Sequence, residues 1–276
     1  MATMGQHAIF LASKGFAVFP LYTIEDGRCS CGLAGCPSPG KHPVGTLVPQ
    51  GVSNATTDAG TIREWWALYP DANIGLATGD ASGVVVIDID PGHGGEASFE
   101  ALEARHGPAP DTWSVATGGG GLHFYFAMPP LDVRNSAGSI GPGIDVRGNG
   151  GYVVAPPSLH ASGEAYRWVP ELHPRRVPLA ELPEWMLARI VSKAERRVAE
   201  ALPATIRDGQ RNVWLTSAAG TMRRRGFSEA AIFAALSVEN RTRCNPPLPD
   251  GEVRRIAQSI QRYPPAPTVT IGRRSA

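Results

Sequence analysis

The sequence predicts an α+β protein in which a mixed β-sheet forms the core of a large first domain and a small all-helical domain follows. Apolar runs of strand length recur between residues 73 and 155, with a helical segment among them. The run at residues 83–89 is apolar on both faces, which is typical of a central strand covered on both sides. From residue 206 onward, apolar residues recur only at helical spacing.

The N-terminal segment is predicted to form a helix and then a strand. Residues 7–15 have helical spacing and end at a glycine, and residues 16–20 form a short apolar run that ends at a proline. A loop rich in Cys, Gly and Pro follows at residues 26–51. Thr57 and Asp58 then cap a further predicted helix.

The remaining elements of the first domain are short strands around one helix. Val115 begins a strand, residues 118–121 interrupt it, and residues 123–126 resume it. The other predicted elements are strands at residues 73–77, 83–89, 144–147 and 152–155 and a helix at residues 96–106. Strands with intervening helices and hairpin-length turns are typical of an α+β fold with a mixed sheet.

The C-terminal part of the chain is predicted to be helical. A polar helical stretch at residues 183–202 is interpreted as a connector. The boundary segment is placed at residues 196–205, between a first domain of residues 1–195 and a helical domain of residues 206–263. Three amphipathic helices, separated by turn residues, make up that domain. The Pro-rich residues 264–276 are predicted to be a disordered tail.

The composition is that of a globular protein without a membrane span. Hydrophobic residues make up 42% of the chain and charged residues 18%. The longest apolar runs fall well short of the roughly 20 residues that a membrane helix needs. His7 and Lys14 lie inside the apolar N-terminal stretch, which has no small-residue cleavage site and so does not resemble a signal peptide. We therefore expect a cytoplasmic protein.

The charge is uneven along the chain. Residues 1–200 contain 14 basic and 20 acidic residues, whereas residues 201–276 contain 12 basic and 5 acidic residues. A basic part beside an acidic part is consistent with a protein that binds a polyanion through its basic part and cations through its acidic part. A solvated Arg-rich helix surface explains the same counts equally well.

Asp88 and Asp90 are the first candidate metal ligands. Side chains alternate along a strand, so both carboxylates are expected on one side, at the exit of an apolar run. Two carboxylates at the mouth of a buried strand repel each other unless one takes up a proton or a cation neutralises both. Hard divalent cations with oxygen ligands are the usual solution. The alternative is a pair of solvated turn aspartates ahead of a Pro-Gly turn.

Asp145 and Arg147 add an acid and a base on one face of another short strand. A third carboxylate completes a metal site of the kind that Mg²⁺ uses, in which phosphate oxygens take the remaining positions. Arg147 is suited to bind a triphosphate bidentately, and an ordinary salt bridge to Asp145 is as good an explanation.

Four glycines, residues 118–121, come just before His123. Glycines such as Gly119, Gly120 and Gly121 let backbone amides approach an anion closely, and no packing reason for them is visible in the sequence. The sequence therefore predicts a phosphate site here, with His123 as a phosphate contact rather than a satisfied core histidine.

A Cys-rich segment is the second candidate metal site. Cys29, Cys31, Cys36 and His42 fall within 14 residues and together match a structural zinc site, although the spacing is not that of a standard finger. A disulfide or free thiols are the alternatives. Lys41 faces either nucleic acid or solvent, and the distant Cys244 is expected to be a packing residue.

Taken together, these segments resemble the bifunctional primase-polymerase domain of the archaeo-eukaryotic primase superfamily, which is common in phages, plasmids and mobile elements. The resemblance covers most of the chain and is carried by residues 15–20, 40–43, 65–66, 72–79, 86–90, 117–123, 143–148 and 154–158. Residues 206–263 resemble the helical C-terminal module of such primases, through residues 209–212, 219–220 and 245–248.

The resemblance implies a catalytic core built on an RNA-recognition-like sheet joined to a smaller α/β unit. It also implies that Asp88, Asp90 and Asp145 bind the catalytic Mg²⁺ or Mn²⁺ and that His123 contacts the phosphates of the incoming nucleotide. The family often has Ser two residues before this histidine, whereas Gly121 stands here, so a hydroxyl contact is in doubt and a backbone contact is not.

The function expected from the resemblance is template-directed synthesis of primers on single-stranded DNA from nucleoside triphosphates, in a bacterial or phage-infected cell. A separate replicative helicase is the expected partner. The template backbone is expected to contact the basic helices through Arg223, Arg224, Arg225, Arg254 and Arg255. Two rivals are a non-catalytic module that binds single-stranded DNA and recruits a helicase, and a metal-dependent nuclease that uses the same acids.

Overall fold

The computed structural model describes residues 2–199 and 202–263, and the chain divides into two compact units, Met1–Lys193 and Ala194–Ala276. The helices that begin in the first unit are α1 Met4–Ala12, α2 Ala59–Leu68, α3 Gly95–His106 and α4 Glu184–Ala199. Its strands are β1 Val18–Leu21, β2 Ile24–Glu25, β3 Arg28–Cys29, β4 Asn73–Ala77, β5 Val84–Ile89, β6 Ser114–Ala116, β7 Leu122–Ala127, β8 Ser136–Gly141, β9 Ile144–Arg147, β10 Tyr152–Ala155 and β11 Arg167–Trp168.

Side-chain caps set where the first two helices begin. Helix α1 starts three residues before its predicted position because Thr3 and Gln6 form a capping box, in which each side chain accepts a hydrogen bond from the backbone N–H of the other. Helix α2 starts as predicted, with Asp58 accepting a hydrogen bond from the Thr61 N–H.

A three-stranded antiparallel sheet, in the order β1-β4-β10, forms one layer with α1 and α2. Gly75 of β4 lies against Phe19 of β1, and a Cβ at position 75 would come within 2.7 Å of that ring. Strand β1 continues one residue past its predicted end at Pro20. Because β1 is an edge strand whose Pro20 carbonyl bonds outward to Val44, the missing proline N–H costs the sheet no hydrogen bond to β4.

The larger sheet has six strands in the order β11-β6-β7-β5-β9-β8. The α+β class is confirmed, and the strand directions are more uniform than the predicted mixture, since every neighbouring pair of strands in the two large sheets is antiparallel. Short turns join β6 to β7 and β8 to β9, and a turn of that length can connect only antiparallel neighbours.

Strand β5 lies at the centre of this sheet and is buried on both faces, as its sequence predicted. Val85, Ile87 and Ile89 pack against α3 and α4, where they contact a core that includes Phe99 and Met186. On the opposite face, Val84 and Val86 join the core that the three-stranded sheet shares with α1 and α2. The polar end of β5 therefore comes directly after a segment that is packed into both hydrophobic cores.

The glycine segment is a turn rather than a break in one strand. The chain reverses there, so that β6 and β7 form an antiparallel hairpin in which Val115 lies opposite His123. The Thr117 N–H donates to the Gly121 carbonyl at 2.9 Å, and Gly120 takes the left-handed conformation with φ 86°. The short strands β2, β3, β8 and β11 were not predicted, because two-residue strands and a Gly/Ser-rich strand carry no apolar alternation.

The second unit contains the three predicted helices, α5 Arg211–Arg224, α6 Glu229–Arg243 and α7 Asp250–Ser259. The helical character of this part of the chain is confirmed, and a two-residue parallel pair that was not predicted, β12 Ile206–Arg207 with β13 Cys244–Asn245, accompanies the helices. Apolar residues from all three helices and both strands form one core, and Cys244 is buried in it as predicted. The predicted tail, residues 264–276, and residues 200–201 of the predicted connector lie outside the described residues.

Helix α4 corresponds to the stretch predicted as a polar connector, and its first half is part of the first unit's core. Met186 is fully buried and Ile190 is 7% exposed, and both pack with Phe99 and Leu102 of α3. No helix in the described part of the chain combines the length and apolar content needed to cross a membrane.

Replacing the buried Met186 tests the role of α4. Met186→Ala is expected to lower the free energy of unfolding by about 2–5 kcal/mol, because it leaves a cavity in a closed core. Leu68→Ala is the control, since Leu68 is 68% exposed in α2 and its loss should cost no more than about 0.5 kcal/mol. If chemical denaturation shows the same small loss of unfolding free energy for Met186→Ala and Leu68→Ala, α4 does not belong to the core.

Candidate active site

The end of β5 brings three predicted site residues together. Asp88 lies directly opposite His123 of β7 on one side and Asp145 of β9 on the other. Residues directly opposite each other in a sheet point to the same face, and Arg147 shares that face because it lies two residues from Asp145. The His123 Nε2 lies 3.5 Å from the Asp88 Oδ1.

Arg147 compensates the two opposed carboxylates. Its Nη2 lies 3.1 Å from the Asp88 Oδ2 and 2.9 Å from the Asp145 Oδ2, so one guanidinium nitrogen bridges both acids. Like charges directly opposite each other on neighbouring strands are destabilising, and this bridge reduces the repulsion. The Asp145 Oδ1 also accepts a hydrogen bond from the Gly138 N–H at 3.1 Å.

Asp90 is placed differently from its prediction. The regular strand stops at Ile89, and the Asp90 carboxylate turns to accept hydrogen bonds from the Gly92 N–H at 2.8 Å and the His93 Nδ1 at 2.7 Å. The hydrogen bond from His93 lowers the pKa of Asp90 below its usual value. The ligand atoms of Asp88, Asp90 and Asp145 do not all lie within 4.8 Å of one another, and the assignment of these residues as metal ligands stays a prediction.

A cavity of about 550 Å³ contains these groups. Asp88, Asp90, His123, Asp145 and Arg147 all line it. Sequence reasoning missed five further polar or aromatic residues of its wall, which are Thr117, Asn135, Tyr152, His160 and Tyr166. Tyr152 could have been suspected because it begins a predicted strand, whereas the loop residue His160 carries no periodic signal.

The glycines before His123 have a packing reason after all. A Cβ at Gly118 would come within 2.3 Å of the His160 Cβ, and a Cβ at Gly121 would come within 2.3 Å of the Ile89 carbonyl oxygen. The Gly121 N–H is already used, since it donates to the Thr117 Oγ1 at 2.9 Å. The glycines therefore bring the turn close to β5, and the expected amide contact from Gly121 would have to replace an internal hydrogen bond.

His123 is buried, with 5% of its surface exposed. Burial lowers the pKa of its imidazole, an effect that Asp88 opposes and that Arg147 and Lys41 reinforce. The ring Nδ1 has no hydrogen-bond partner among residues 2–199 and 202–263. Burial thus favours the neutral form of the imidazole, whose Nε2 faces Asp88.

The Cys-rich segment brings its four predicted ligands together. The ligand atoms of Cys29, Cys31, Cys36 and His42 all lie within 4.8 Å of one another, and the four cysteines of the chain are free thiols. The His42 Nε2 is 3.4 Å from the sulfurs of both Cys29 and Cys36. Three soft sulfurs and one imidazole are a donor set that fits tetrahedral zinc, so this cluster could bind a zinc ion.

Two of these thiols respond to opposite local effects. Burial raises the pKa of Cys29, whereas the Leu33 N–H lowers the pKa of Cys31 by donating a hydrogen bond to its sulfur. Zinc binds the thiolate form of cysteine, which the hydrogen bond from Leu33 favours at Cys31 and burial disfavours at Cys29.

The predicted template-binding arginines all lie in the second unit. Arg224, Arg225, Arg254 and Arg255 are exposed. Arg223 is half-buried, and its Nε donates to the Tyr263 carbonyl at 2.9 Å. The Arg254 guanidinium lies 4.2 Å from the centre of the Phe233 ring. Four of the five predicted arginines are therefore exposed cations of the second unit.

Comparison with known protein families agrees with this architecture. Residues 8–185 match the family model described as bifunctional DNA primase/polymerase, N-terminal. Residues 200–266 match the model described as primase C terminal 1. No curated protein matches the chain.

The first match covers more than half of the chain, so the protein belongs to the bifunctional DNA primase/polymerase family. This confirms the resemblance seen in the sequence. The two matches together support a function of the primase/polymerase type in replication initiation, and proteins of this family are generally metal-dependent.

Metal analysis tests the Cys-rich cluster. We expect about one zinc ion per chain in protein prepared with zinc, its loss in Cys36→Ser, and its retention in Cys244→Ser, which changes a thiol outside the cluster. The expected loss follows from the position of Cys36 beside His42, whereas Cys244 lies in the core of the second unit. Zinc content that is unchanged in Cys36→Ser, or absent from the unaltered protein, would contradict the assignment.

Proposed function

We propose that the protein is a template-directed DNA primase/polymerase that makes and extends primers on single-stranded DNA by two-metal nucleotidyl transfer. The replication of a phage, plasmid or mobile element is the proposed setting. The observation that carries the proposal is the placement of Asp88 between His123 and Asp145 at the wall of a cavity, in a chain of this family.

The carboxylates fit a divalent cation by their chemistry. Asp88 and Asp145 offer hard oxygen ligands on one face, and Asp90 lines the same cavity and would join them if it released Gly92 and His93. When bound, Mg²⁺ or Mn²⁺ would acidify the 3′ hydroxyl of the primer and neutralise phosphate charge. Asp88, Asp90 and Asp145 are therefore the proposed metal ligands.

Arg147 and His123 are the proposed phosphate contacts. The guanidinium of Arg147 is partly exposed in the cavity and can form two parallel hydrogen bonds to a phosphate. Contact with a triphosphate would draw it away from Asp88 and Asp145, whose opposed charges would then favour a cation in its place. The neutral His123 can donate one hydrogen bond without adding a charge that would repel the cation.

The wall next to His123 is the proposed position of the triphosphate. Gly119 and Gly121 line the cavity, and Gly120 supplies the left-handed turn between them. The absence of side chains there lets a phosphate approach the backbone closely.

One observation favours a binding-only alternative. Arg147 offsets one of the two negative charges of Asp88 and Asp145, and Asp90 is held by His93, so each of the three carboxylates has a side-chain partner within the protein. Such a module would hold single-stranded DNA and recruit a separate replicative helicase. A nuclease that uses the same acids would shorten DNA instead of extending it.

A primer-synthesis assay separates these functions. With single-stranded DNA, labelled nucleotides and Mg²⁺ or Mn²⁺, we expect new primers; shortened DNA would indicate a nuclease, and neither product would indicate a binding module. Asp88→Asn should lower the rate by about 10³-fold or more, because it removes a proposed metal ligand whose charge is required in the transition state.

Asp71→Asn is the matched control, because it makes the same change at an exposed aspartate outside the cavity wall. Asp71→Asn should synthesise primers at the unaltered rate, and Asp90→Asn should resemble Asp88→Asn. Full activity in both Asp88→Asn and Asp90→Asn would refute the assignment of the metal ligands.

Salt dependence tests the arginines of the second unit. If Arg224 and Arg225 each contact a phosphate of single-stranded DNA, replacing both with Ala should reduce the slope of log affinity against log salt by about 1.4, or roughly 0.7 for each contact. The matched control is Arg175→Ala with Arg176→Ala, which removes two adjacent exposed arginines from the first unit. Equal slopes for both double variants would place the template contacts elsewhere.

A further inference from the structure

Lys41 connects the two candidate metal sites. It lies in the sequence between Gly40 and the proposed zinc ligand His42, and it lines the cavity that contains Asp88 and His123. The side chain is exposed, so its ammonium can reach a bound ligand without first being desolvated. Neither the family match nor the metal geometry assigns it a role.

Gly40, just before Lys41, is held on both of its polar groups. Its N–H donates to the Cys29 sulfur at 3.4 Å, and its carbonyl accepts from the Asn73 Nδ2 at 2.9 Å. Its φ is 71°, and a Cβ there would come within 3.0 Å of the Ile24 Cδ1. The backbone that enters Lys41 is therefore fixed by a proposed zinc ligand and by Asn73, a buried residue of β4.

The backbone at and after Lys41 is held as well. The Lys41 carbonyl accepts from the Tyr152 hydroxyl at 2.9 Å, and the His42 carbonyl accepts from the Tyr22 N–H at 3.0 Å. Tyr152 itself lines the cavity. Lys41 thus carries a flexible side chain on a fixed backbone. Two of the residues whose hydrogen bonds fix it, Cys29 and His42, belong to the Cys-rich cluster.

The positive charge of Lys41 acts electrostatically on two histidines of the cavity wall. After the larger effect of burial, it contributes to lowering the pKa of both His123 and His160. A lysine ammonium is a compact point charge that commonly binds phosphate. A second cation near Arg147 suits a ligand with several negative charges.

We propose that Lys41 contacts the phosphates of the nucleotide in this cavity and that zinc at Cys29, Cys31, Cys36 and His42 fixes its position. This inference rests on the proposed nucleotide-binding function. Lys41 is the residue that binds the phosphates. The zinc cluster does not touch the nucleotide and affects binding only by positioning Lys41.

Nucleotide binding measures the contact directly. The affinity for a non-hydrolysable nucleoside triphosphate, in its ribo and deoxy forms, should fall about tenfold in Lys41→Ala, which equals about 1.4 kcal/mol. The affinity for the monophosphate should change by less than about threefold, because fewer phosphate charges are present. Lys14→Ala is the matched control, since it removes a lysine outside the cavity wall and should bind as the unaltered protein does.

The dependence on zinc is tested by combining chelation with the variant. Removing zinc should weaken triphosphate binding by the unaltered protein about as much as Lys41→Ala does, and should have little further effect on Lys41→Ala, because both changes disable one contact. Circular dichroism checks that the chelated protein stays folded. Equal, independent losses in both proteins would overturn the link between zinc and Lys41.

Tyr152→Phe tests the same support with zinc retained. It removes the hydroxyl that holds the Lys41 carbonyl, and it should weaken triphosphate binding about two- to threefold, but not on the Lys41→Ala background. If the unaltered protein binds no triphosphate, the proposed function fails and this inference fails with it. If it binds triphosphate and Lys41→Ala binds equally well, only the inference is overturned.

Discussion

The candidate site depends on two carboxylates that face each other across neighbouring strands. Asp88 and Asp145 are held opposite by the register of β5 and β9, so the fold itself creates a concentration of negative charge that needs a cation. Arg147 supplies that cation from within the protein. The register cannot slip by one residue to relieve the repulsion, because the slip would exchange the two faces of β5 and turn Asp88 towards the core that includes Phe99 and Met186.

Close backbone packing makes this arrangement compact. Glycines at the turn before His123 let that turn lie against Ile89 and the His160 loop, and they do so at distances that a Cβ would not permit. Gly95 and Gly143 meet in the same way beside Asp90, where a Cβ on Gly95 would lie 2.4 Å from the Gly143 carbonyl oxygen. The glycines therefore bring strand ends together, and any phosphate contact they make comes in addition to this packing role.

Asn73 performs a similar task for the loops around the cavity. It is fully buried, and besides Gly40 it bonds the backbone of Leu159 in both directions, with its Nδ2 at 2.7 Å from the Leu159 carbonyl and its Oδ1 at 2.9 Å from the Leu159 N–H. A buried amide with all its partners in place stabilises one arrangement of these loops. The segment that carries Lys41 and the segment that leads to His160 thus share one anchor.

The sequence by itself determined the elements with strong local patterns and predicted the residues that are proposed to carry the chemistry. The apolar run of β5, the cap of α2 and the helical spacing of α5 to α7 are local, and Asp88, His123, Asp145 and the Cys-rich cluster follow from residue type and spacing. Only the tertiary structure decided that Asp90 turns to His93, that Arg147 bridges two acids, and that Tyr152, His160 and Lys41 reach the same cavity. The physical reason is that alternation and helical period fix which way a side chain points along its own element. Which groups meet depends on the pairing of strands and loops far apart in the chain.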